Sequence, residues 1–214
     1  AAKNGNIACL KYAFCIIKAK DDSTLCNAAR SGSLACLKYA FNVIKAKDAN
    51  NLTLCFSALS GSLACLKYAH EVIKAKDANN STLCYAARSG SLACLKYAFC
   101  VIKAINDNST LCNAAKSGNI SCLKYAFNVI KANDNNLTLC FAARSGNISC
   151  LKYAHDIIKV NDNNFTLCFA ARSGFLACLK YAHKVIGAID NNFTLSDAIK
   201  SGSLECIEYC NQHL

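Results

Sequence analysis

Apolar residues along the chain recur in groups whose spacing predicts helices that are buried over most of their circumference. Within residues 34–45, two apolar rows run side by side at three- and four-residue intervals, which is the period of an α-helix. The first row is Leu34, Leu37, Phe41 and Ile44, and the second is Cys36, Ala40 and Val43. Only a narrow polar stripe of Lys38, Asn42 and Lys45 separates them. Such a helix is expected to lie between neighbouring helices.

A shorter helix is predicted before each long one. In residues 52–80, a short helical stretch from Thr53 ends at Gly61, a residue type suited to a helix C-terminus. Ser62 can then cap a second helix that runs from Leu63 to about Ala75. An Asp/Asn-rich linker leads to the next Thr. No segment alternates apolar and polar residues with period two, so no sheet is predicted.

The helix pair repeats every 28 or 29 residues. The tripeptide Thr-Leu-Cys recurs from Thr24 to Thr166 and appears last as Thr194-Leu195-Ser196. A fixed period of this length predicts a stacked array in one continuous solenoid domain. Its predicted units are 1–22 (a partial repeat), 23–51, 52–80, 81–108, 109–136, 137–164, 165–192 and 193–214. The last unit is more polar, with Asp197 and Glu205, and is expected to cap the array.

The repeat resembles the ankyrin repeat. Residues 81–96, with the sequence STLCYAARSGSLACLK, align with that family without a gap. They share a start similar to T-P-L-H-x-A, a pair of alanines, and a Gly before a Leu-rich helix. The repeats look most like the short "CLKYA" repeats of large DNA viruses of amoebae and their hosts. The resemblance implies an all-α, ankyrin-like α-solenoid of stacked antiparallel helix pairs. Each unit is four or five residues shorter than the 33 residues usual in the family. The missing residues fall between the second helix and the next Thr, where ankyrins carry a β-hairpin finger, so no finger is expected.

Charge suggests the kind of partner. The chain carries 24 Lys and Arg against 13 Asp and Glu, a net charge of +11, which favours acidic partners. One basic residue recurs near the end of the first helix, where ankyrin-like stacks border a concave groove. These candidate partner-binding residues are Arg30, Arg88, Lys116, Arg144, Arg172 and Lys200. The alternative is that duplication multiplied a few solvated lysines in each unit.

Cysteine is abundant, with 17 residues. Six pairs lie ten residues apart, from Cys26 and Cys36 to Cys168 and Cys178. A disulfide ladder and metal sites are the alternatives to reduced, buried thiols. No C-x-x-C pair is present, which disfavours zinc. Cys206, Cys210 and His213 lie near one helical face and could hold a metal only weakly, so the sequence predicts packed thiols and no metal site. His70, His155 and His183 occupy the place of a Phe in other units and are expected to pack as it does.

Asparagine recurs just before the conserved Thr. The N-x-Thr sequons headed by Asn51, Asn80, Asn108, Asn136, Asn164 and Asn192 are possible glycosylation sites. The alternative is that an Asn-rich loop before a helix-starting Thr arises from helix capping alone. The expected compartment is the cytoplasm of the host or organism. The sequons and cysteines together make an extracellular or virion surface the alternative.

The motifs favour binding over catalysis. No nucleophile–base pair or Gly-rich phosphate loop is found, so no enzyme activity and no cofactor are predicted. The first hypothesis is an interaction scaffold whose basic groove holds an acidic protein. The second is a structural protein of a fibre or surface, in which copies assemble by repeat stacking. Nucleic acid is disfavoured because no aromatic residue is expected between the six candidate partner-binding residues, which we call the basic ladder. No apolar run is long enough to span a membrane.

Overall fold

The computed structural model describes residues 1–18, 21, 23–48, 51–77, 80–107, 109–134, 137–161 and 164–214. Over these ranges the chain contains fifteen α-helices and no strand. A short 3₁₀ turn, Ala2–Asn4, takes the place of the first helix in the partial repeat. Every full repeat has the predicted helix pair.

Each repeat contributes a short first helix and, after a glycine turn, a second helix. The first helices are Thr24–Arg30, Thr53–Leu59, Thr82–Arg88, Thr110–Lys116, Thr138–Arg144, Thr166–Ser173 and Thr194–Ser201. The second helices are Ile7–Cys15, Leu34–Asn42, Leu63–Glu71, Leu92–Tyr97, Ile120–Asn128, Ile148–Lys152, Leu176–Tyr181 and Leu204–His213. Three second helices continue as π-helical turns, Ala98–Ile102, Tyr153–Ile158 and Ala182–Ile186.

The chain divides into an N-terminal unit, Ala1–Asp107, and a C-terminal unit, Asn108–Leu214. Within each unit, the first helices of consecutive repeats pack side by side, and the second helices form a second layer against them. Each unit is therefore an all-α, ankyrin-like stack of helix pairs, as the sequence predicts.

Leucine and alanine fill the space between the two layers. The largest fully buried side chains are one leucine from each helix of the six full repeats between residues 23 and 192, namely Leu25, Leu37, Leu54, Leu66, Leu83, Leu95, Leu111, Leu123, Leu139, Leu151, Leu167 and Leu179. The predicted burial of Leu37 and Ile44 is confirmed, while Leu34 and Phe41 are half-buried. The second apolar row was wrong at Val43, which is 51% exposed because the helix ends one residue before it.

The second helices end earlier than predicted. The helix expected to reach Ala75 stops at Glu71, where the backbone widens and Ile73 N–H donates to the Tyr68 carbonyl. Lys74 then takes a left-handed conformation, with φ +58°. This reversal lets Ala75 N–H donate to the Ala69 carbonyl at 3.0 Å and closes the helix. The equivalent left-handed residues are Lys18, Lys45, Lys103, Lys131, Lys159 and Gly187. These lysines therefore lie past the helix and not on its outer stripe.

The first helices that begin at Thr53 and Thr82 are capped by an aspartate of the linker and not by the Thr. Asp48 Oδ1 accepts hydrogen bonds from Leu52 N–H, Thr53 N–H and Thr53 Oγ1–H at 2.8–3.2 Å. Thr53 is the first residue of its helix and is fully buried. Asp77 serves Ser81 and Thr82 in the same way. A carboxylate at this end also interacts favourably with the helix dipole.

The second helices have side-chain caps in all repeats but one. The cap is Asn6, Ser33, Ser62, Ser91, Asn119, Asn147 or Ser203, each accepting from a backbone N–H in the first turn. In the seventh repeat the position is Phe175, which provides no such bond. Phe175 is 57% exposed, and its ring lies over Gly146.

Restoring the missing cap is expected to stabilise the chain. We expect Phe175→Ser to have a free energy of unfolding about 1 kcal/mol above that of Phe175→Ala, since an N-cap hydroxyl contributes roughly 0.5–2 kcal/mol. The alanine variant is the matched control because it removes the same ring without providing an acceptor. Urea unfolding followed by circular dichroism measures the difference, and equal midpoints for the two variants would contradict the prediction.

Candidate interaction surface

The six basic candidates all lie in the last turn of a first helix. Arg30, Arg88, Lys116 and Arg144 are the last residues of their helices, and Arg172 and Lys200 are the last but one. Lys116 is half-buried and the others are exposed. Packed helices lie about 8–10 Å apart, so consecutive cations within a unit follow at about that spacing. The N-terminal unit has Arg30 and Arg88 with Leu59 between them, whereas the C-terminal unit has four cations in consecutive repeats.

Aromatic rings lie between the cations. The Arg30 guanidinium carbon is 5.3 Å from the Phe56 ring centroid. In the C-terminal unit, Lys116 Nζ is 4.9 Å from the Phe141 centroid, and the Arg144 guanidinium carbon is 5.6 Å from that of Phe169. These distances are those of cation–π contacts. We call Lys116, Phe141, Arg144, Phe169 and Arg172 the basic–aromatic strip.

The expectation that no aromatic residue is interleaved with the basic ladder was therefore wrong. The rings come from the position after the conserved Cys, and each receives the cation of the preceding repeat. A signal for this was present in the sequence. Phe141 precedes Arg144 by three residues, a spacing that places both on one helix face.

The N-terminal unit carries a related surface. Arg30, Phe56, Leu59, Ser60, Tyr85 and Arg88 line a shallow groove of about 650 Å³. The Phe56 and Tyr85 rings are 6.4 Å apart, close to the 6.2 Å between Phe141 and Phe169 in the other unit. Both units thus offer neighbouring rings with cations beside them.

A carboxylate neutralises the last two cations. Asp197 occupies the position that carries an aromatic ring in four earlier repeats, and it is only 8% exposed. Its Oδ1 lies 3.3 Å from Arg172 Nη1 and 3.2 Å from Lys200 Nζ. Arg172 and Lys200 are among the predicted partner-binding residues, and in the structure both are paired with Asp197.

The second-helix face has its own regular array. Lysine ammonium groups lie 5.6–5.9 Å from the ring centroid of the tyrosine in the next repeat. The pairs are Lys11–Tyr39, Lys38–Tyr68, Lys67–Tyr97, Lys124–Tyr153, Lys152–Tyr181 and Lys180–Tyr209. These lysines cover ring surface with their stems, which is a packing role.

The three histidines take the place of phenylalanine, as predicted. His70 meets Tyr97 edge-on at 5.8 Å, as Phe41 meets Tyr68 at 6.3 Å. The structure adds a polar contact that the sequence did not reveal. His70 Nδ1 lies 3.0 Å from the Tyr97 hydroxyl, which donates to Glu71 Oε1 at 2.7 Å. Burial and this contact with Glu71 raise the pKa of Tyr97 to about 12.

The 17 cysteines are thiols that form no disulfide bond, and the six pairs are all buried. The Cys55 sulfur lies 3.5 Å from Thr82 Oγ1 and 3.7 Å from Asp77 Oδ1, so the thiol joins two repeats. Burial, with a smaller effect of Asp77, raises the pKa of Cys55 to about 11. Among the described residues, no group of three or more His, Cys, Asp or Glu side chains could hold a metal ion.

The sequon asparagines that the structure describes are Asn51, Asn80, Asn164 and Asn192, and all are exposed. Asn108 and Asn136 lie outside the described residues. The four have φ between 51° and 67°, a left-handed conformation that Asn tolerates better than most residues. The backbone therefore gives a reason for Asn at this place that is independent of glycosylation, which stays a prediction.

Comparisons with solved structures find matches to the chain, whereas the other two comparisons do not. No protein-family model and no curated protein matches the chain. Among solved structures, the human ASB11 ankyrin repeat domain is 21% identical, with a TM-score of 0.46, over 72% of this chain and 80% of that one. The fold assignment therefore rests on the helix pairs described above. No helix in the described ranges is long and apolar enough to cross a membrane.

Proposed function

We propose that the protein is a non-catalytic protein–protein interaction scaffold that binds an acidic partner along its first-helix surface. The observation that carries this proposal is the alternation of cations and rings in the basic–aromatic strip. A cation held against a ring is already positioned, so binding orders fewer side chains than a free lysine row requires.

The charge of the strip supports an acidic partner. Within it, Lys116 and Arg144 each lie over an aromatic ring. A guanidinium that stacks on a ring still presents N–H donors at its edge, and these match the geometry of a carboxylate. Summed positive charge on one surface also speeds the approach of an acidic partner.

Arg144→Glu is expected to weaken capture of an acidic probe. The probe is a fluorescein-labelled polyglutamate peptide, and its binding is measured by fluorescence anisotropy. We expect the dissociation constant to rise at least about tenfold, a change equivalent to about 1.4 kcal/mol. Added salt should also weaken wild-type binding, because exposed charges are screened over about 8–10 Å at physiological ionic strength.

Lys152→Glu is the matched control, since it makes the same charge change on the second-helix face. If it weakens binding as much as Arg144→Glu, the attraction is a property of net charge alone and the scaffold proposal fails. The proposal also fails if the wild-type chain does not bind the probe at low salt.

Assembly through repeat stacking is a second candidate, favoured by the last repeat. Leu195, Ile199 and Leu204 are 40%, 58% and 74% exposed there. The leucines equivalent to Leu195 are fully buried in the six preceding repeats. A repeat of another copy would cover these side chains. Sedimentation velocity with wild type and Leu195→Gln tests this, and a monomer at all concentrations rules it out. The capping role of 193–214 stays a prediction.

The cytoplasm, of an organism or of the host of a large DNA virus, is the compartment that we propose. Unbridged buried thiols are typical of reducing compartments. The mass of native protein before and after reduction tests this, since glycans or disulfides would instead place the chain at an extracellular or virion surface.

A further inference from the structure

We infer that the basic–aromatic strip takes an extended acidic segment in the polyproline II conformation, with one carboxylate at every third residue. This inference rests on the proposed function and specifies the partner of that same surface. Its starting point is Asp197, a carboxylate of the chain itself that lies between the cations Arg172 and Lys200.

Asp197 provides an internal example of how the ladder holds an anion. One oxygen, Oδ1, lies within 3.3 Å of the cations of two consecutive repeats, Arg172 and Lys200. The contact is therefore a bridge between repeats and not a pair within one repeat. A partner that repeats this arrangement needs one carboxylate for each interval between cations.

The earlier intervals of the C-terminal unit hold a ring where the last holds Asp197. Phe141 and Phe169 occupy that position, and Lys116 and Arg144 lie on them. A partner that repeats the Asp197 arrangement would place its carboxylates in these intervals. The rings, 6.2 Å apart, supply apolar surface between the cations.

The spacing of the helices selects the conformation of the partner. Consecutive first helices lie about 8–10 Å apart. A polyproline II segment advances about 3.1 Å per residue with three residues per turn, so every third side chain points the same way at intervals of about 9 Å. In a β-strand, side chains on the same face recur at about 6.6 Å, which does not match the spacing of the first helices. Polyproline II segments also dock on aromatic-lined grooves.

Two peptides of equal composition test the period. The first is four repeats of Glu-Pro-Pro, and the second has its four Glu together at one end, followed by eight Pro. We expect the periodic peptide to bind the full chain at least about tenfold more tightly, which corresponds to about 1.4 kcal/mol. A helical peptide with Glu at every seventh residue is the competing geometry, because seven helical residues also span about 10 Å.

Variants of Asp197 test the bridge. Asp197→Asn should free Arg172 and Lys200 and tighten binding of the periodic peptide several-fold, with less effect on the clustered one. Asp197→Phe, which introduces the residue found at this position in three earlier repeats, is the second variant if the first folds poorly. Circular dichroism and the urea midpoint establish that each variant is folded.

The outcomes separate this inference from the proposed function. Equal binding of the periodic and clustered peptides, or tighter binding of the helical one, overturns the inference and leaves an acidic-partner scaffold in place. Failure of all three peptides and of polyglutamate to bind at low salt overturns the proposed function as well. No change with either Asp197 variant shows that the bridge is not the binding geometry.

Discussion

Replacing Leu151 by Ala is expected to lower the free energy of unfolding by about 3 kcal/mol, since buried Leu→Ala substitutions cost roughly 2–5 kcal/mol. Leu151 is fully buried in the second helix Ile148–Lys152, which packs against the second helices on either side. The cavity would thus lie between three repeats, where the surrounding helices cannot collapse into it from one side alone. Urea unfolding followed by circular dichroism measures the change.

Ile157→Ala is the matched control in the same repeat. Ile157 is 55% exposed, so its truncation should change the unfolding free energy by only about 0.5 kcal/mol. In a stack, the stability of a repeat depends on its neighbours. Amide hydrogen exchange should therefore show the Leu151→Ala loss spreading to the adjoining repeats. Equal effects of the two substitutions would mean that the layer assignment is wrong.

The position of Leu151 could be predicted from the sequence because its repeat shows the helical period plainly. The same leucine lies on the apolar row of the helix in every copy of the repeat. When the copies stack, the neighbouring helices cover it on all sides. Gly61 and Ser62 likewise mark the turn and the cap by local chemistry alone. These elements depend on residues close in sequence, and sequence patterns report such interactions well.

The ends of the second helices depend on interactions that the apolar period does not contain. Val43 continues the apolar row in sequence but is exposed, because the helix has already ended. The reversal is made by Lys45, with φ +55°, and lysine carries no signal for a left-handed backbone. In the seventh repeat, Gly187 makes the same reversal. That single glycine was the one sign of the helix end in the sequence.

The sequence identified the cations of the candidate surface but not the aromatic rings beside them. Counting along the repeat finds Arg144, whereas the contact of Arg144 with Phe169 joins two repeats and requires their stacking. Asp197 shows the same limit. In the sequence, Asp197 is one of the residues that make the last repeat more polar, and it therefore predicted only a cap. Its position between Arg172 and Lys200 becomes visible only when consecutive first helices are packed together.

Alkaline pH is expected to destabilise the chain through its buried thiols. Burial raises the pKa of Cys178 and Cys150 to about 11, with smaller effects of neighbouring cysteines, and burial and Asp107 raise that of Cys84 to about 12. An exposed thiol in the unfolded chain titrates near pH 8.5. Between these values the folded chain holds protons that the unfolded chain has lost, so stability falls as the pH rises.

The window of this effect follows from the same values. Below about pH 7 the thiols are protonated in both states and contribute almost no pH dependence. Between about pH 9 and 11, each such thiol contributes a slope of up to about 1.4 kcal/mol per pH unit. The effect of the thiols on the urea midpoint should therefore be negligible below pH 7, begin near pH 8 and become steep above pH 9. Tyr97 and Tyr181, whose pKa values burial raises to about 12, add to the fall only at the upper end.

Cys178→Ala separates the thiols from other groups that titrate at alkaline pH. Its stability should be lower at every pH, but its slope between pH 9 and 11 should be shallower than that of wild type by about one proton.

A second readout is iodoacetamide labelling at pH 8, which should modify the exposed Cys9, Cys15 and Cys100 long before the buried pairs. The thiolate is the reactive form, so a pKa of about 11 instead of about 8.5 lowers its population at pH 8 more than a hundredfold. Labelling of Cys150 or Cys178 as fast as Cys9, or an unchanged slope in Cys178→Ala, would show that these thiols are not held in the core.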